Sequence, residues 1–359
     1  MTGEDEPNDV SGPALTPAPG PSPAPDGRAP RRIGPFEVPA VGLGCMNLSH
    51  AYGTPPSAGD AAKLLLSALD AGVTLFDTAA LYGFGANEEL VGRVLGPHRE
   101  RIVLASKCGM TGVDGRRVID GRPETIRRTA EQSLARLGTD VIDLYYLHRL
   151  DPAVPVEESV GALAELVAAG KVRAIGLSEV SAATLRRAHA VHPVAALQNE
   201  YSLWTRNPER GTLAATRELG VALVAFSPVG RGVLTDAPPR MADLPPADIR
   251  HAMPRFTAAH YPANLALRAE LAALAASAGL TTAQLALAWV LSRGGHVLAI
   301  PGTRSVEHLR EDVAVLDLDV PAELLAAAGR VLSDGTVHGS RYAPAHLPEI
   351  DTERCGAAG

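Results

Sequence analysis

Val141-Ile-Asp-Leu-Tyr-Tyr-Leu-His148 is a short, β-favouring run that is apolar on both alternating faces and ends in a histidine. Such a run does not suit a strand with one wet face; it belongs in a parallel sheet covered on both sides. Further apolar runs begin near Val41, Val73, Ile102, Val172, Ala195, Val221 and Val297. Amphipathic helical stretches separate them, over 61–71, 123–137, 156–169, 182–191 and 207–219. Gly170, Gly220 and Gly279 stand where helices stop. Eight alternating β/α units in 359 residues predict an α/β fold, a single (β/α)₈ TIM barrel rather than an open sheet. The connection from Phe226 to Val297 is the exception, with a long loop followed by helices over 264–277 and 282–291. Structure inserted at the strand-end face of a barrel shapes its substrate pocket.

The barrel is expected over residues 32–345, opened by a hairpin in which Arg32–Ile33 and Phe36–Val38 flank a Gly34-Pro35 turn. Residues 1–31 hold Pro, Ala, Gly and Asp with almost no large apolar side chains, which predicts a disordered tail. Residues 346–359 are read as a C-terminal tail. With 33 basic against 40 acidic residues, a net charge of -7 and no basic run, neither nucleic acid nor an anionic membrane is expected as a partner. Cys45, Cys108 and Cys355 are scattered and odd in number, which argues against a disulfide framework. His189 and His192 sit three apart near a helix end, but no third ligand accompanies them and no metal is expected. The N-terminal residues are the reverse of a secretory signal and no apolar run reaches membrane-spanning length, so a cytoplasmic protein is expected. Oligomeric state stays open.

Catalytic groups of an active barrel project from the C-terminal ends of its strands. Here the second strand ends in Leu75-Phe-Asp77, the third in Leu104-Ala-Ser-Lys107 and the fourth in Tyr146-Leu-His148; Tyr82 follows five residues after Asp77. A phenol is a poor acid at neutral pH, and a nearby ammonium lowers its pKa. A carboxylate beside the lysine keeps it charged and in place, and a histidine at the same mouth can donate to a carbonyl oxygen. The reaction this set suits is protonation of an oxyanion as it forms, as when hydride attacks an aldehyde or ketone. Any one of the four alone is as readily a cap, a surface charge or loop packing. Their arrangement on consecutive strand ends is the informative feature.

Leu75-Phe-Asp-Thr-Ala79 with Tyr82-Gly83, Ala105-Ser-Lys107 and Asp143-Leu-Tyr-Tyr-Leu-His148 resemble the aldo-keto reductases. So do Gly176-Leu-Ser178, Gln198-Asn-Glu-Tyr201, Phe226-Ser-Pro-Val-Gly-Arg-Gly232 and Ile300-Pro-Gly-Thr-Arg304, in order, and the resemblance runs from about Ile33 to Pro344. It implies a catalytic tetrad of Asp77, Tyr82, Lys107 and His148, with Tyr82 as general acid, and NADPH as cofactor, NADH less so.

Gly42-Leu-Gly44-Cys-Met-Asn47 is not a dinucleotide fingerprint, lacking the third glycine and a following helix; it reads as a tight turn. The resemblance implies cofactor contacts instead from Gly44, Met46 and Asp77, from Ser178, Glu179 and Gln198 at the nicotinamide carboxamide, and from Phe226 stacked on its ring. Ser227, Val229, Gly230, Arg231 and Gly232 would wrap the pyrophosphate. Gly302, Thr303 and Arg304 precede a helix whose N-terminus favours anions, and Arg304 suits a 2′-phosphate. His308, Glu311 and Asp312 lie on one face of that helix, at the adenosine end. Asp312 beside a phosphate would be unfavourable. Met46, Tyr82, His148 and Trp204 are expected to line the substrate pocket, for a small-molecule carbonyl substrate. Two rivals keep the cofactor. One is a reductase of a nucleotide-linked keto-sugar or other specialised metabolite, for which Arg231 and Arg149 are weak phosphate candidates. The other is a non-catalytic, nicotinamide-binding regulatory subunit, which would have no need of the acid.

Overall fold

The structure, a computed structural model, describes residues 28–113, 116–333 and 335–352. The disorder expected for the N-terminal tail falls, up to residue 27, outside the described residues. The chain opens with a hairpin, β1 (Arg31–Ile33) and β2 (Phe36–Val38), paired antiparallel through the left-handed Gly34. Arg31, expected in the tail, begins this hairpin and is buried, its guanidinium donating to the carbonyls of Leu291 (3.0 Å) and Gly294 (3.3 Å).

Strands and helices then alternate. They are β3 (Leu43–Gly44), α1 (Ala58–Asp70), β4 (Leu75–Asp77), α2 (Ala86–Leu95) and β5 (Val103–Cys108). A second hairpin follows, β6 (Met110–Val113) and β7 (Arg116–Ile119), before α3 (Pro123–Leu137) and β8 (Ile142–Leu147). Next come α4 (Val156–Ala168), β9 (Val172–Ser178), α5 (Ala182–Val191), β10 (Val194–Glu200), α6 (Thr212–Leu219) and β11 (Ala222–Phe226). The long connection carries α7 (Tyr261–Ser277) and α8 (Thr282–Leu291), and β12 (Val297–Ile300), α9 (Val306–Ala314) and α10 (Ala322–Val331) complete the body. Local chemistry sets the ends. Ser57 and Ser181 cap α1 and α5, Thr281 and Gln284 form a capping box on α8, and Gly138 and Gly220 stop α3 and α6 in left-handed geometry. The helix expected over 207–219 is split at Gly211, so that α6 begins only at Thr212.

Eight strands pair in parallel in the order β12-β11-β10-β9-β8-β5-β4-β3. The sheet closes on itself: Val41 bridges Ala299, and the Gly42 and Gly44 amides donate to the carbonyls of Ala299 (2.9 Å) and Pro301 (3.0 Å). This is the (β/α)₈ barrel. The double-sided burial expected of the Val141–Leu147 run is visible residue by residue. Tyr145 and Leu147 pack in the outer core, whereas Leu144 and Tyr146 fill the barrel interior with Leu75, Val224 and Leu298. The N-terminal hairpin plugs the floor with Ile33 and Val38. Asp143, the polar exception in that run, is buried and paired with Arg99 (2.7 Å) and Arg173 (3.0 Å).

Residues 346–352, expected as a tail, pack on the body: Asp351 accepts from the Ser181 amide and hydroxyl, both at 3.0 Å. Among the described residues no single helix is long and apolar enough to cross a membrane; α7 and α8 reach that length only together, bent by 88°.

Candidate active site

Three strand ends and one loop meet at the C-terminal mouth. Asp77 closes β4, Lys107 lies near the end of β5, and His148 follows β8. Tyr82 stands in the turn after β4, where Gly83, Phe84 and Gly85 take left-handed backbone to reverse the chain. Asn87, at the start of α2, braces that turn: its amide donates to the Cys45 carbonyl and the Ser49 hydroxyl (both 2.9 Å) and accepts from Thr78 (2.6 Å).

Lys107 is 0% exposed. Its ammonium uses three acceptors, the Asp77 carboxylate, the Thr78 carbonyl (2.8 Å) and the Tyr82 phenol oxygen (3.1 Å). Burial alone would lower its pKa, but Asp77 and Tyr82 outweigh it and the net direction is up, so the lysine stays charged. The other Asp77 oxygen accepts from the Gln198 amide at 2.8 Å. Tyr82 departs from expectation. Burial raises its phenol and outweighs the lowering by Lys107, so the phenol of the free protein is held in its neutral, proton-bearing form. The His148 ring stands edge-on to it, with centroids 5.8 Å apart. Burial, then the charges of Lys107 and Arg149, push His148 well below the ordinary imidazole value, so it is neutral at pH 7. Its Nδ1 is buried with no hydrogen-bond partner among the described residues.

A cavity of about 860 Å³ runs from Tyr82 and His148 to the start of α9. Gly44, Met46 and Asp77 line it on one side, and Ser178, Gln198 and Phe226 on the barrel axis. Ser227, Val229, Arg231 and Gly232 form another wall, and Gly302, Thr303, Arg304, His308, Glu311 and Asp312 the far end. The 227–232 loop turns through positive φ at Ser227, Gly230, Arg231 and Gly232, the backbone pattern that builds anion-binding amide nests.

Four expected residues do other work. Glu179 is 0% exposed and absent from the cavity wall; its carboxylate takes both Arg341 nitrogens and the Glu200 amide (2.7 Å). It is neither a carboxamide ligand nor a solvated loop charge. Trp204 stacks on Phe256 (6.1 Å) beneath the mouth, outside the pocket. Gly230 also lies off the wall; a Cβ there would meet Leu234 at 3.0 Å, so its place is close packing. The Arg231 guanidinium is held by Glu200 (2.7 Å), Tyr52 (2.7 Å) and Tyr342 (2.9 Å), so its charge is already answered by a carboxylate.

The first amides of α9 are likewise taken, capped by the Ser305 hydroxyl (3.1 and 3.3 Å). Arg304 therefore supplies the positive charge at this end. Asp312 lines the same end of the cavity without adding a full negative charge: burial, reinforced by Glu311, pushes its carboxyl far above the carboxylate range, favouring the neutral acid. The expected clash with a phosphate is thereby removed. A cleft with neutral amide and hydroxyl groups beside an aromatic face at one end, and at the other a guanidinium that donates to the Thr54 carbonyl and has no carboxylate partner among the described residues, fits a nicotinamide dinucleotide. Sequence reading missed Tyr52 and Tyr342, which line the cavity, and the buried charges of Glu200 and Arg341 behind them, brought together from three distant segments. No spacing signal connects them.

The aldo/keto reductase family model matches residues 40–330. The chain belongs to the aldo/keto reductase family. Solved relatives agree. The glycerol dehydrogenase of Gluconobacter oxydans is 30% identical, with a TM-score of 0.78 over 85% of this chain and 95% of its own. An aldo-keto reductase from Bacillus halodurans, in its holo form, is 26% identical (TM-score 0.72; 87% and 98% covered). One from Klebsiella pneumoniae, in complex with NADPH, is 28% identical (TM-score 0.67; 88% and 99%). This aldo-keto reductase is thus an NAD(P)H-dependent oxidoreductase, and carbonyl reduction is its general chemistry. Among the described residues no group of three or more His, Cys, Asp or Glu is placed to hold a metal.

Proposed function

We propose that this aldo-keto reductase converts an aldehyde or ketone to the alcohol with NADPH, with Tyr82 as general acid. The observation that carries the reading is the fully buried Lys107 ammonium, bonded at once to Asp77 and to the Tyr82 phenol. A bound NADPH would supply hydride to the carbonyl carbon. The chain's own side chains do the rest. Tyr82 accepts from Lys107, so its own hydrogen is free for the substrate oxygen, and the ammonium balances the phenolate left behind. Without that charge a buried phenolate would be expensive. Asp77 keeps Lys107 charged and aimed, and Gln198 holds Asp77. Neutral His148 donates one N–H toward the same oxygen and orients the carbonyl.

Ser178 and Gln198 would hold the carboxamide end, Phe226 would offer its ring face, and the 227–232 backbone the pyrophosphate. Arg304 supports NADPH over NADH, because a full positive charge there suits a 2′-phosphate. The NADPH complex of the Klebsiella pneumoniae relative supports the same cofactor. Steady-state reduction of a panel of aldehydes and ketones, run in parallel with NADPH and NADH, tests both parts. Tyr82→Phe should lower kcat by roughly 10² to 10⁴ while NADPH binding is retained. Full activity in Tyr82→Phe would remove Tyr82 from the acid role, and higher kcat/KM with NADH would overturn the cofactor preference.

A further inference from the structure

Most charges around the mouth are already answered. Arg117 pairs with Glu349, Arg231 with Glu200 and Arg250 with Asp248, while Asp77 neutralises Lys107 below Tyr82. Arg149 is different. It follows His148 directly, is half-buried and lines the cavity. One terminal nitrogen donates to the His148 carbonyl (2.7 Å) and to the Ser178 hydroxyl (3.2 Å), both neutral oxygens. No carboxylate among the described residues pairs with it. A guanidinium presents five N–H donors in a rigid fork, so engaging one nitrogen leaves the remaining donors available. Its charge acts on Tyr82, His148 and Tyr342 together, which puts it within electrostatic reach of the proposed acid.

We propose that Arg149 is the anion-recognition residue of the substrate pocket, so that the preferred carbonyl substrates carry a carboxylate or phosphate group. The inference rests on the carbonyl-reductase reading above. A neutral substrate covering Arg149 would strip water from a cation and return nothing, whereas an anionic oxygen group pairs with the fork through charge-assisted, bidentate hydrogen bonds. Anchored at Arg149 and held by its carbonyl oxygen at Tyr82 and His148, such a substrate is fixed at two points. Two-point attachment selects one face of the carbonyl and sets the distance between the two groups.

The test compares reduction of ω-oxo carboxylates of increasing length and 4-carboxybenzaldehyde, each against its neutral methyl ester, and 4-formylphenyl phosphate against its neutral dimethyl ester. In the unmodified enzyme at least one charged member should exceed its ester by about tenfold or more in kcat/KM, carried by KM. In the benzoate pair the ester is the more electron-withdrawing substituent and gives the more reactive aldehyde, so a preference for the acid reports binding rather than reactivity. The carboxylate and phosphate arms show which anion is taken. Arg149→Met should erase the ratio and Arg149→Lys restore part of it, with NADPH affinity, read by fluorescence titration, held within about threefold. No charged preference in the unmodified enzyme overturns the proposal, and this arm needs no variant to fold. A preference that survives Arg149→Met overturns it too, as does a parallel loss of NADPH affinity, which would assign Arg149 to holding Ser178 and the cofactor. Failure to reduce any carbonyl, charged or neutral, would instead sink the reductase reading beneath it.

Discussion

Tyr82 and His148 are pushed in opposite directions, and the pH dependence of reduction follows from both. Burial raises the phenol despite Lys107, and burial with two neighbouring cations depresses the imidazole. The folded value of His148 lies below its unfolded one, so the stability tied to the neutral ring is complete above about pH 6.5 and fades as pH falls through the folded value. In kcat/KM for reduction we therefore expect no inflection near pH 6.5, and an alkaline loss only above the ordinary phenol value of about 10. An inflection near pH 6.5 that vanishes in His148→Gln would contradict the neutral histidine. Asp77, Lys107 and His148 were legible because each closes an apolar run, and a polar group closing a buried strand stands out; Tyr82 was read from its place five residues after Asp77. Glu179 and Trp204 were not, because the partners that claim them, Arg341 and Phe256, lie far along the chain.

The C-terminal segment is held to the mouth by charge rather than by apolar area. Arg341 is gripped by Glu179 and lies 3.7 Å from Glu200, Tyr342 takes a hydrogen bond from Arg231, and Asp351 accepts from Ser181 at the start of α5. Both partners of the Glu179–Arg341 pair are nearly inaccessible, so removing one charge strands the other. Glu179→Gln preserves shape and should cost about 3 kcal/mol in denaturant unfolding, with faster amide exchange across 335–352. Unchanged stability and exchange would mean that the segment is held by something else. Among the elements, α2 and the β6–β7 hairpin, and with them α10, escaped the sequence reading. The first begins at a left-handed Gly85 without a side-chain cap, and the second places the exposed Arg116 and Arg117 where a strand pattern calls for β-branched residues.

Closure of the barrel depends on how nearly the first and last strands touch. A Cβ on Gly44 would sit 2.9 Å from the Ile300 carbonyl, backbone that cannot move without opening the seam, so Gly44→Ala should lose about 1 to 3 kcal/mol. Gly161, inside α4 with open space around it, is the control: Gly161→Ala should gain about 0.5 to 1 kcal/mol. Equal effects of the two in thermal unfolding would remove the seam argument. Strand order, the doubly buried sheet and the four polar groups at the mouth were written in local pattern, since periodicity and strand ends depend on residues a few positions apart. The charge cluster behind the cavity was not, because Glu179, Glu200, Arg231 and Arg341 come together only when four separate segments fold onto one rim. Nor were the protonation preferences of Tyr82, His148 and Asp312: burial dominates each of them, and burial exists only once the chain has packed.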